Sequence, residues 1–144
     1  MEKEILGYEG FYSVNESGDI FGLPISIIRK NGRKYISKRR EISPSINSTG
    51  YYVVSLRKNG VQKTEKVHRL VAKTFLVNTQ NKTDVNHIDG NKLNNCIENL
   101  EWCTKSENHI HKYKVLGFRY NHTEETKEKI RQSRYKYLKR KNNE

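Results

Sequence analysis

Long hydrophobic runs are missing from this chain. Only 33% of its 144 residues are hydrophobic and its mean hydropathy is −0.95, so we expect a small central core with extended polar segments. No stretch approaches the ~20 apolar residues that span a bilayer, and the opening "MEKEILGYEG" lacks the apolar centre of a signal peptide. The sequence therefore predicts neither a membrane span nor a secretion signal.

Cysteine is scarce as well. The two cysteines, Cys96 and Cys103, cannot form the disulfide framework of a small secreted domain, which favours a reducing, cytoplasmic location. They also lack the Cys-x-x-Cys spacing of structural zinc sites, so we disfavour zinc.

Acidic residues are outnumbered by basic ones. The chain has 28 Lys and Arg against 16 Asp and Glu, which gives a net charge of +12, and this indicates a polyanionic partner such as nucleic acid. An anionic membrane surface is the competing partner, but no basic helix with a wide aliphatic face is present. An RNA-binding protein is a third possibility, but the aromatic-rich platform that such modules use is missing.

The first segment, residues 1–45, has the pattern of short strands. "FYSVN" and "DIFGL" are joined by "ESGD", in which Gly18 suits a tight turn. The run "RKNGRKYISKRR" then carries seven basic residues and no acid, and its Asn31-Gly32 pair predicts a hairpin. A solvated lysine-rich surface is the simpler interpretation of such a run, but Tyr35 among the charges favours nucleic-acid contact.

The second segment, residues 50–115, carries the candidate core. "YYVVSLRKNGVQKTEKVHRLVAKTF" predicts a hairpin that turns at Asn59-Gly60, followed by a short helix with apolar residues at helical spacing. His68, at the start of this helix, fits either a structural histidine or a phosphate contact.

The third segment, residues 117–141, contains a predicted basic helix. Thr123 suits its N-cap, and Glu124 and Glu125 suit the first turn, where the helix dipole favours acids. Its apolar residues are too few for a core-facing stripe, so we expect the helix to dock on an acidic partner.

The stretch "VNHIDGNKLNNCIENLEWCT" places one histidine and five asparagines beside the chain's single tryptophan. It predicts a strand through Asn86 and His87, a long loop and a second strand near Trp102. A helix from about Thr104 then carries Asn108. This β-β-α arrangement would gather one imidazole and two side-chain amides around a gap.

A histidine and two amide oxygens around one gap suit phosphodiester hydrolysis. A hard divalent cation prefers oxygen ligands and stabilises charge on phosphate, and an imidazole with a pKa of about 6.5 can deprotonate an attacking water. Asp89 is interpreted as a turn residue, and His109 and His111 as surface or phosphate-contacting residues. Three asparagines are interpreted as loop-capping residues rather than ligands: Asn91, Asn94 and Asn95.

At these residues the chain resembles the HNH nucleases, in particular phage-type HNH homing endonucleases. The shared strings are "VHRLVAKTF" and "VNHIDGNKLNNCIENLEWCTKSEN". "ILGYEGFYSVNESGDIFGL" is similar to an N-terminal nuclease-associated modular motif of these enzymes, and "GFRYNHTEETKEKIRQSR" to an appended DNA-binding helix motif. The resemblance implies an α+β fold with a ββα-metal core. It divides the chain into an N-terminal DNA-binding module (1–45), a nuclease domain (50–115) and a C-terminal DNA-binding helix (117–141).

The resemblance also assigns roles to single residues. His87 matches the general base, and Asn86 and Asn108 match the two metal ligands. Asn99 matches an asparagine that holds the loop and helps to orient the histidine. Asn86 departs from the pattern, because the family often has Asp there and a neutral amide attracts a cation less strongly.

The implied function is a metal-dependent endonuclease that nicks or cuts double-stranded DNA in a bacterial or phage-infected cell. We expect one Mg²⁺ or Mn²⁺ per site, a monomer on DNA, and no membrane or small-molecule cofactor. The alternative is a sequence-specific DNA-binding protein on a weak or inactive HNH scaffold. The residues expected to contact DNA are Arg33, Lys34, Arg39, Arg40, Arg57, His68, Arg69, Lys127, Lys129, Arg131 and Arg134.

Overall fold

A computed structural model describes residues 1–117 and 123–141. This part of the chain mixes short strands with three α-helices, so the predicted α+β class is confirmed. The strands are β1 (Glu2–Glu4), β2 (Tyr12–Asn15), β3 (Ile20–Gly22), β4 (Ser26–Ile28), β5 (Lys34–Ile36), β6 (Arg40–Ile42), β7 (Ser45–Ile46), β8 (Tyr52–Lys58), β9 (Val61–Lys66), β10 (Asp84–His87) and β11 (Leu100–Cys103). The helices are α1 (Val67–Phe75), α2 (Lys105–Ile110) and α3 (Glu124–Lys141).

The N-terminal sheet has the order β1-β2-β3-β6, with antiparallel pairing throughout. The predicted turn between β2 and β3 is confirmed. Asn15 Oδ1 accepts the backbone N–H groups of Ser17 at 3.1 Å and Asp19 at 2.8 Å. Gly18 has φ +92°, a left-handed conformation that favours glycine. The side chain of Asn15 thus accepts from backbone N–H groups of the turn that would otherwise lack a partner.

The basic run folds as the predicted hairpin. Strands β4 and β5 pair as an exposed two-stranded ribbon. Gly32, at its turn, has φ +75°, and the backbone N–H of Arg33 donates to Asn31 Oδ1 at 3.2 Å. The guanidinium of Arg29 lies 4.9 Å from the Tyr35 ring centroid. The charges of the run therefore surround a ribbon that faces solvent.

A second hairpin precedes α1. Strands β8 and β9 pair from Val53↔Lys66 to Lys58↔Val61, and Asn59 and Gly60 at the turn have φ +52° and +79°. Two positive φ values are typical of a type I′ turn, whose twist matches that of the strands. The prediction of a turn at Asn59-Gly60 and of a helix after it is confirmed.

One hydrophobic core joins the first two segments. Val14 and Ile20 of the N-terminal sheet belong to the same buried cluster as Leu56 of β8, Val71 of α1 and Leu100 of β11. Strand β7 pairs with β8 rather than with the N-terminal sheet. The packing therefore continues across the expected boundary near residue 45. The division into an N-terminal module, a nuclease domain and a C-terminal helix remains a prediction about function.

His68 lies in the interior on α1, with 3% of its surface exposed. Its ring packs 4.9 Å from the rings of both Tyr51 and His87. Burial lowers its pKa to about 3, and His87, Lys66 and Arg69 add smaller effects in the same direction. The expected DNA contact from His68 is therefore wrong, because the side chain does not reach the surface. The structural alternative fits the burial.

The C-terminal helix α3 begins after Thr123, whose Oγ1 accepts the backbone N–H of Thr126 at 3.3 Å, so the predicted N-cap is confirmed. Its side chains at 123–135 and 139 are exposed. The "FRYNH" part of the motif before it, residues 118–122, lies outside the described residues. In the described part of the chain, no helix is both long and apolar enough to cross a bilayer.

The buried, neutral His68 predicts a loss of stability in acid. Its pKa of about 3 in the folded protein lies below the ordinary value of 6.5, so only the unfolded chain takes up the proton between these values, and stability falls as pH drops below 6.5. Between pH 7.5 and 5.5 the loss from this one group is about 1.4 kcal/mol. Urea unfolding of wild type and His68→Phe at both pH values measures it. An equal loss of unfolding free energy in the two proteins would show that His68 is not the source of the acid sensitivity.

Deletion of residues 118–144 should leave the remaining chain folded. Because the described side chains of α3 are exposed, their removal takes no buried apolar surface from the core, and Tm should change by no more than about 2 °C. Leu56→Ala, at a fully buried position, is the positive control and should cost about 2–5 kcal/mol. A large drop in Tm for the truncated protein would mean that the C-terminal segment is part of the core.

Candidate active site

The predicted β-β-α unit is present. Strands β10 and β11 are antiparallel, with Asn86 opposite Glu101 and His87 opposite Leu100. Trp102 packs against the core cluster and its Nε1 donates to the Leu76 carbonyl at 3.2 Å, which ties β11 to the end of α1. The chain then enters α2, which carries Asn108.

Helix α2 starts at a full capping box. The backbone N–H of Glu107 donates to Thr104 Oγ1 at 3.2 Å, and the backbone N–H of Thr104 donates to Glu107 Oε2 at 2.7 Å. These bonds satisfy two donors at the helix start and fix its direction relative to β11. The capping box therefore positions Asn108, in the next helical position, against β10.

His87, Asn86 and Asn108 line one cleft of about 430 Å³ between β10 and α2. The residues that also line it include Tyr51, Asp84, Lys92, Lys105, His109 and His111. The structure thus brings together the expected base and both expected ligands. Asn99 is not among the residues that line the cleft.

His87 is held rigidly, with 5% of its surface exposed. Its Nε2 lies 3.1 Å from Asn95 Oδ1, and its ring lies edge-on to the His68 ring. Burial lowers the pKa of His87, a shift that the hydrogen bond to Asn95 and the charge of Asp89 oppose. A lowered pKa keeps the imidazole neutral at neutral pH, and the neutral form is the one that can accept a proton.

The Asn99 side chain joins the two ends of the loop between β10 and β11. Its Nδ2 donates to Asp89 Oδ1 at 2.9 Å and to the Asn94 carbonyl at 2.8 Å, while its Oδ1 accepts the backbone N–H of Asp89 at 3.0 Å. The pKa of Asp89 is lowered, first by the hydrogen bond from Asn94. These bonds fit the expected holding role. The direct contact with His87, however, comes from Asn95 and not from Asn99.

Asn86 is also fixed by a neighbour. Only 6% of its surface is exposed, and its Nδ2 donates to Glu101 Oε1 at 2.8 Å. Because the nitrogen is committed to this bond, the oxygen is the amide atom left for a ligand in the cleft.

The cleft offers few atoms that could bind a metal ion. Asn86 and Asn108 offer amide oxygens, and the carboxylate of Asp84 is engaged by Arg69 at 3.1 Å. Within the described residues, no group of three or more His, Cys, Asp or Glu side chains could hold a metal. This set fits a hard cation that takes two protein oxygens and completes its shell with water and phosphate. It does not fit a structural zinc.

Basic groups gather beside the cleft. The ammonium groups of Lys66 and Lys92 lie 4.6 Å and 4.8 Å from the ring centroid of Tyr51. Lys92 also donates to the Thr49 carbonyl at 2.9 Å, and Lys105 lines the cleft on the α2 side. The entrance to the site is therefore positively charged.

The other expected DNA contacts lie in several places. Arg39 stacks 4.0 Å from the Phe21 ring centroid and pairs with Glu2 at 2.8 Å. Arg40 and Arg57 line a separate groove. The remaining residues are on exposed positions of the β4–β5 ribbon and α3: Arg33, Lys34, Lys127, Lys129, Arg131 and Arg134.

Three site residues were missed by reasoning from the sequence: Asn95, Glu101 and Tyr51. Glu101 could have been found from the register of β10 and β11, because residues opposite each other in a ladder contact across it. Asn95 looked like its neighbours in the loop. Tyr51 precedes β8, far from the motif in sequence, and nothing local indicates its position.

Known proteins are similar to the segment that carries this cleft. A family model described as an HNH endonuclease matches residues 65–110. The DNA endonuclease I-HmuI of Bacillus phage SP01 is 37% identical over 106 residues, which are 74% of this chain and 53% of that protein. The uncharacterized HNH endonuclease L245 of Acanthamoeba polyphaga mimivirus is 47% identical over 101 residues, 65% of this chain and 30% of that protein.

A solved structure is also similar. It is reported under "DNA binding and cleavage by the HNH homing endonuclease I-HmuI" and matches with a TM-score of 0.65 and 31% identity. The match covers 90% of this chain and 65% of the solved one. The chain thus spans between about a third and a half of the two curated relatives above. With α1, β10, β11 and α2 all inside the matched segment, the chain contains an HNH endonuclease domain, whose relatives are named HNH homing endonucleases.

Proposed function

We propose that this protein is a metal-dependent endonuclease of the homing type that hydrolyses phosphodiester bonds in double-stranded DNA. The observation that carries the proposal is the convergence of His87, Asn86 and Asn108 on one cleft with a basic entrance. The names of the relatives, which include a DNA endonuclease of a Bacillus phage, support the choice of substrate.

His87 is the proposed general base. Asn95 Oδ1 can only accept a hydrogen bond, so in this contact His87 Nε2 carries the proton and Nδ1 holds the free electron pair. The packing against His68 and the bond to Asn95 hold the imidazole in one orientation. A neutral, oriented imidazole can take a proton from the attacking water as that water reaches phosphorus.

HNH nucleases generally use a divalent metal ion, and we propose one Mg²⁺ or Mn²⁺ for this site. Asn86 and Asn108 would hold it through their amide oxygens. When bound, the cation supplies positive charge that stabilises the phosphate oxygens and the leaving 3′ oxygen.

The outer parts of the chain are proposed to bind DNA. In the three-part division, residues 1–45 and the helix of 117–141 hold the duplex on either side of the nuclease domain at 50–115, as a monomer. Lys66 and Lys92, gathered on Tyr51, would contact phosphates next to the cleft. Most of the affinity would come from such phosphate contacts.

A second candidate function is a DNA-binding protein on a weak or inactive HNH scaffold. The observation that favours it is the neutral amide at position 86, together with the absence of a cluster of ligand carboxylates within residues 1–117 and 123–141. A plasmid relaxation assay with Mg²⁺ or Mn²⁺ distinguishes the two functions, because only the nuclease converts supercoiled DNA to nicked or linear forms.

The His87→Ala variant tests the proposed base. Cleavage should fall by at least about 100-fold because the group proposed to take the proton from the attacking water is removed, while DNA affinity should stay within a few-fold of wild type. Plasmid cleavage and a gel-shift titration measure the two quantities, and circular dichroism checks the fold. Near wild-type cleavage by this variant at pH 8 would show that His87 is not the base.

Deletion of residues 118–144 tests the proposed role of α3 in DNA binding. If the helix contacts three or four phosphates, the slope of log K against log salt concentration should become shallower by about 3. Short duplexes that cover only the cut region should still be cleaved. Footprints of the full-length and truncated proteins on one long duplex give the comparison, and equal protected lengths would exclude α3 as a DNA-binding element.

A further inference from the structure

Asn86 presents a problem that an aspartate would not have. The two ends of a side-chain amide have nearly the same shape, but only the oxygen can bind a cation. An asparagine used as a metal ligand must therefore be prevented from turning its NH₂ group toward the metal. An aspartate needs no such control, because both terminal atoms of its carboxylate are oxygens that can bind a cation.

The structure contains a control of this kind on the neighbouring strand. Glu101 lies directly opposite Asn86 in the β10–β11 ladder, and its Oε1 accepts the Asn86 Nδ2 at 2.8 Å. An ionised carboxylate can only accept hydrogen bonds, so this contact is satisfied by one orientation of the amide. Asn86 is almost fully buried, which limits other positions of the side chain.

We propose that Glu101 is a positioning residue that fixes the amide of Asn86 with its oxygen available to a divalent cation. This inference rests on the proposed metal-dependent nuclease function. Together, Asn86 and Glu101 then supply what a single aspartate would supply. Asn86 on β10 provides the oxygen ligand, and Glu101 on β11 provides the negative charge through one hydrogen bond.

Glu101 acts through Asn86 rather than as a ligand itself. The cleft is lined by Asn86 and Asn108, whereas Glu101 lines a different groove with Leu76 and Trp102. The hydrogen bond and the negative charge are therefore two separable contributions of the same side chain, and variants can distinguish them.

Three variants separate these contributions. Glu101→Ala removes both the acceptor and the charge. Glu101→Gln loses the charge and keeps an oxygen that can accept from Asn86, but its NH₂ group can also donate to Asn86 Oδ1, so the variant no longer imposes one orientation. Glu41→Ala removes the same charge from an exposed position on β6, outside the cleft, and is the matched control. Tm of each variant checks that the fold is intact.

The first measurement is the affinity of the protein for Mn²⁺, monitored by the decrease of the EPR signal of the free ion. Removal of groups that orient metal ligands typically weakens metal affinity 10- to 100-fold, so Glu101→Ala should bind Mn²⁺ at least about 10-fold more weakly than wild type. Glu101→Gln should weaken binding by only about 2- to 3-fold, because its oxygen still accepts from Asn86 in one of the two orientations that the pair of amides can adopt. Glu41→Ala should stay within about 2-fold, because it leaves the hydrogen bond between Glu101 and Asn86 unchanged.

NMR of protein labelled with ¹⁵N at asparagine is the second measurement, and it needs no metal. In wild type, the Asn86 NH₂ group should give two well-separated proton signals, one shifted by the hydrogen bond to Glu101. In Glu101→Ala the separation should shrink. The assignment of these signals comes from their loss in Asn86→Asp.

The results also separate this inference from the proposed function. Wild-type Mn²⁺ affinity in Glu101→Ala, or equal weakening in Glu101→Ala and Glu101→Gln, would overturn the positioning role even if the wild-type protein binds Mn²⁺ and cleaves DNA. A wild-type protein that neither binds Mn²⁺ nor cleaves DNA would overturn the proposed function and this inference together.

Discussion

Three hydrogen bonds of the Asn99 side chain, two donated and one accepted, determine the shape of the loop on which the site depends. They join Asn99 at the end of the loop to Asp89 at its start and to Asn94 in its middle. With this closure in place, Asn95 lies where its amide meets His87. The abundance of asparagine in the stretch follows from this arrangement, because each amide offers both a donor and an acceptor and can satisfy backbone groups that no sheet or helix pairs.

The small core explains how so hydrophilic a chain supports such a site. Strands of the N-terminal sheet, β8, α1 and β11 share a single buried cluster, so the N-terminal segment is part of what holds the site in place as well as a proposed DNA contact. His68 likewise has two structural roles, because it fills space in the core and its ring packs against His87. The cost of burying its imidazole appears as the lowered pKa.

Local signals in the sequence predicted most of the elements. The turns at Gly18, Asn31-Gly32 and Asn59-Gly60 were predicted because they use residues that accept turn conformations. The gathering of His87 with Asn108 was predicted from the β-β-α pattern and the resemblance. Contacts that depend on tertiary packing were not predicted. Nothing in the local sequence separates Asn95 from Asn94, or shows that the first turn of α1 would carry its histidine into the core.

The ion pairs within α3 have a consequence for how tightly the helix can hold a nucleic acid. Lys127, Lys129 and Arg131 each pair with an acid one turn away on the same helix. A phosphate group must displace that partner, and the displaced carboxylate then lies close to another negative charge. Each contact is thus an exchange of one anion for another rather than the capture of a free cation. In the proposed DNA complex, this competition would weaken each phosphate contact of the helix, so the helix would release any one position on the duplex more readily than a helix with unpaired cations.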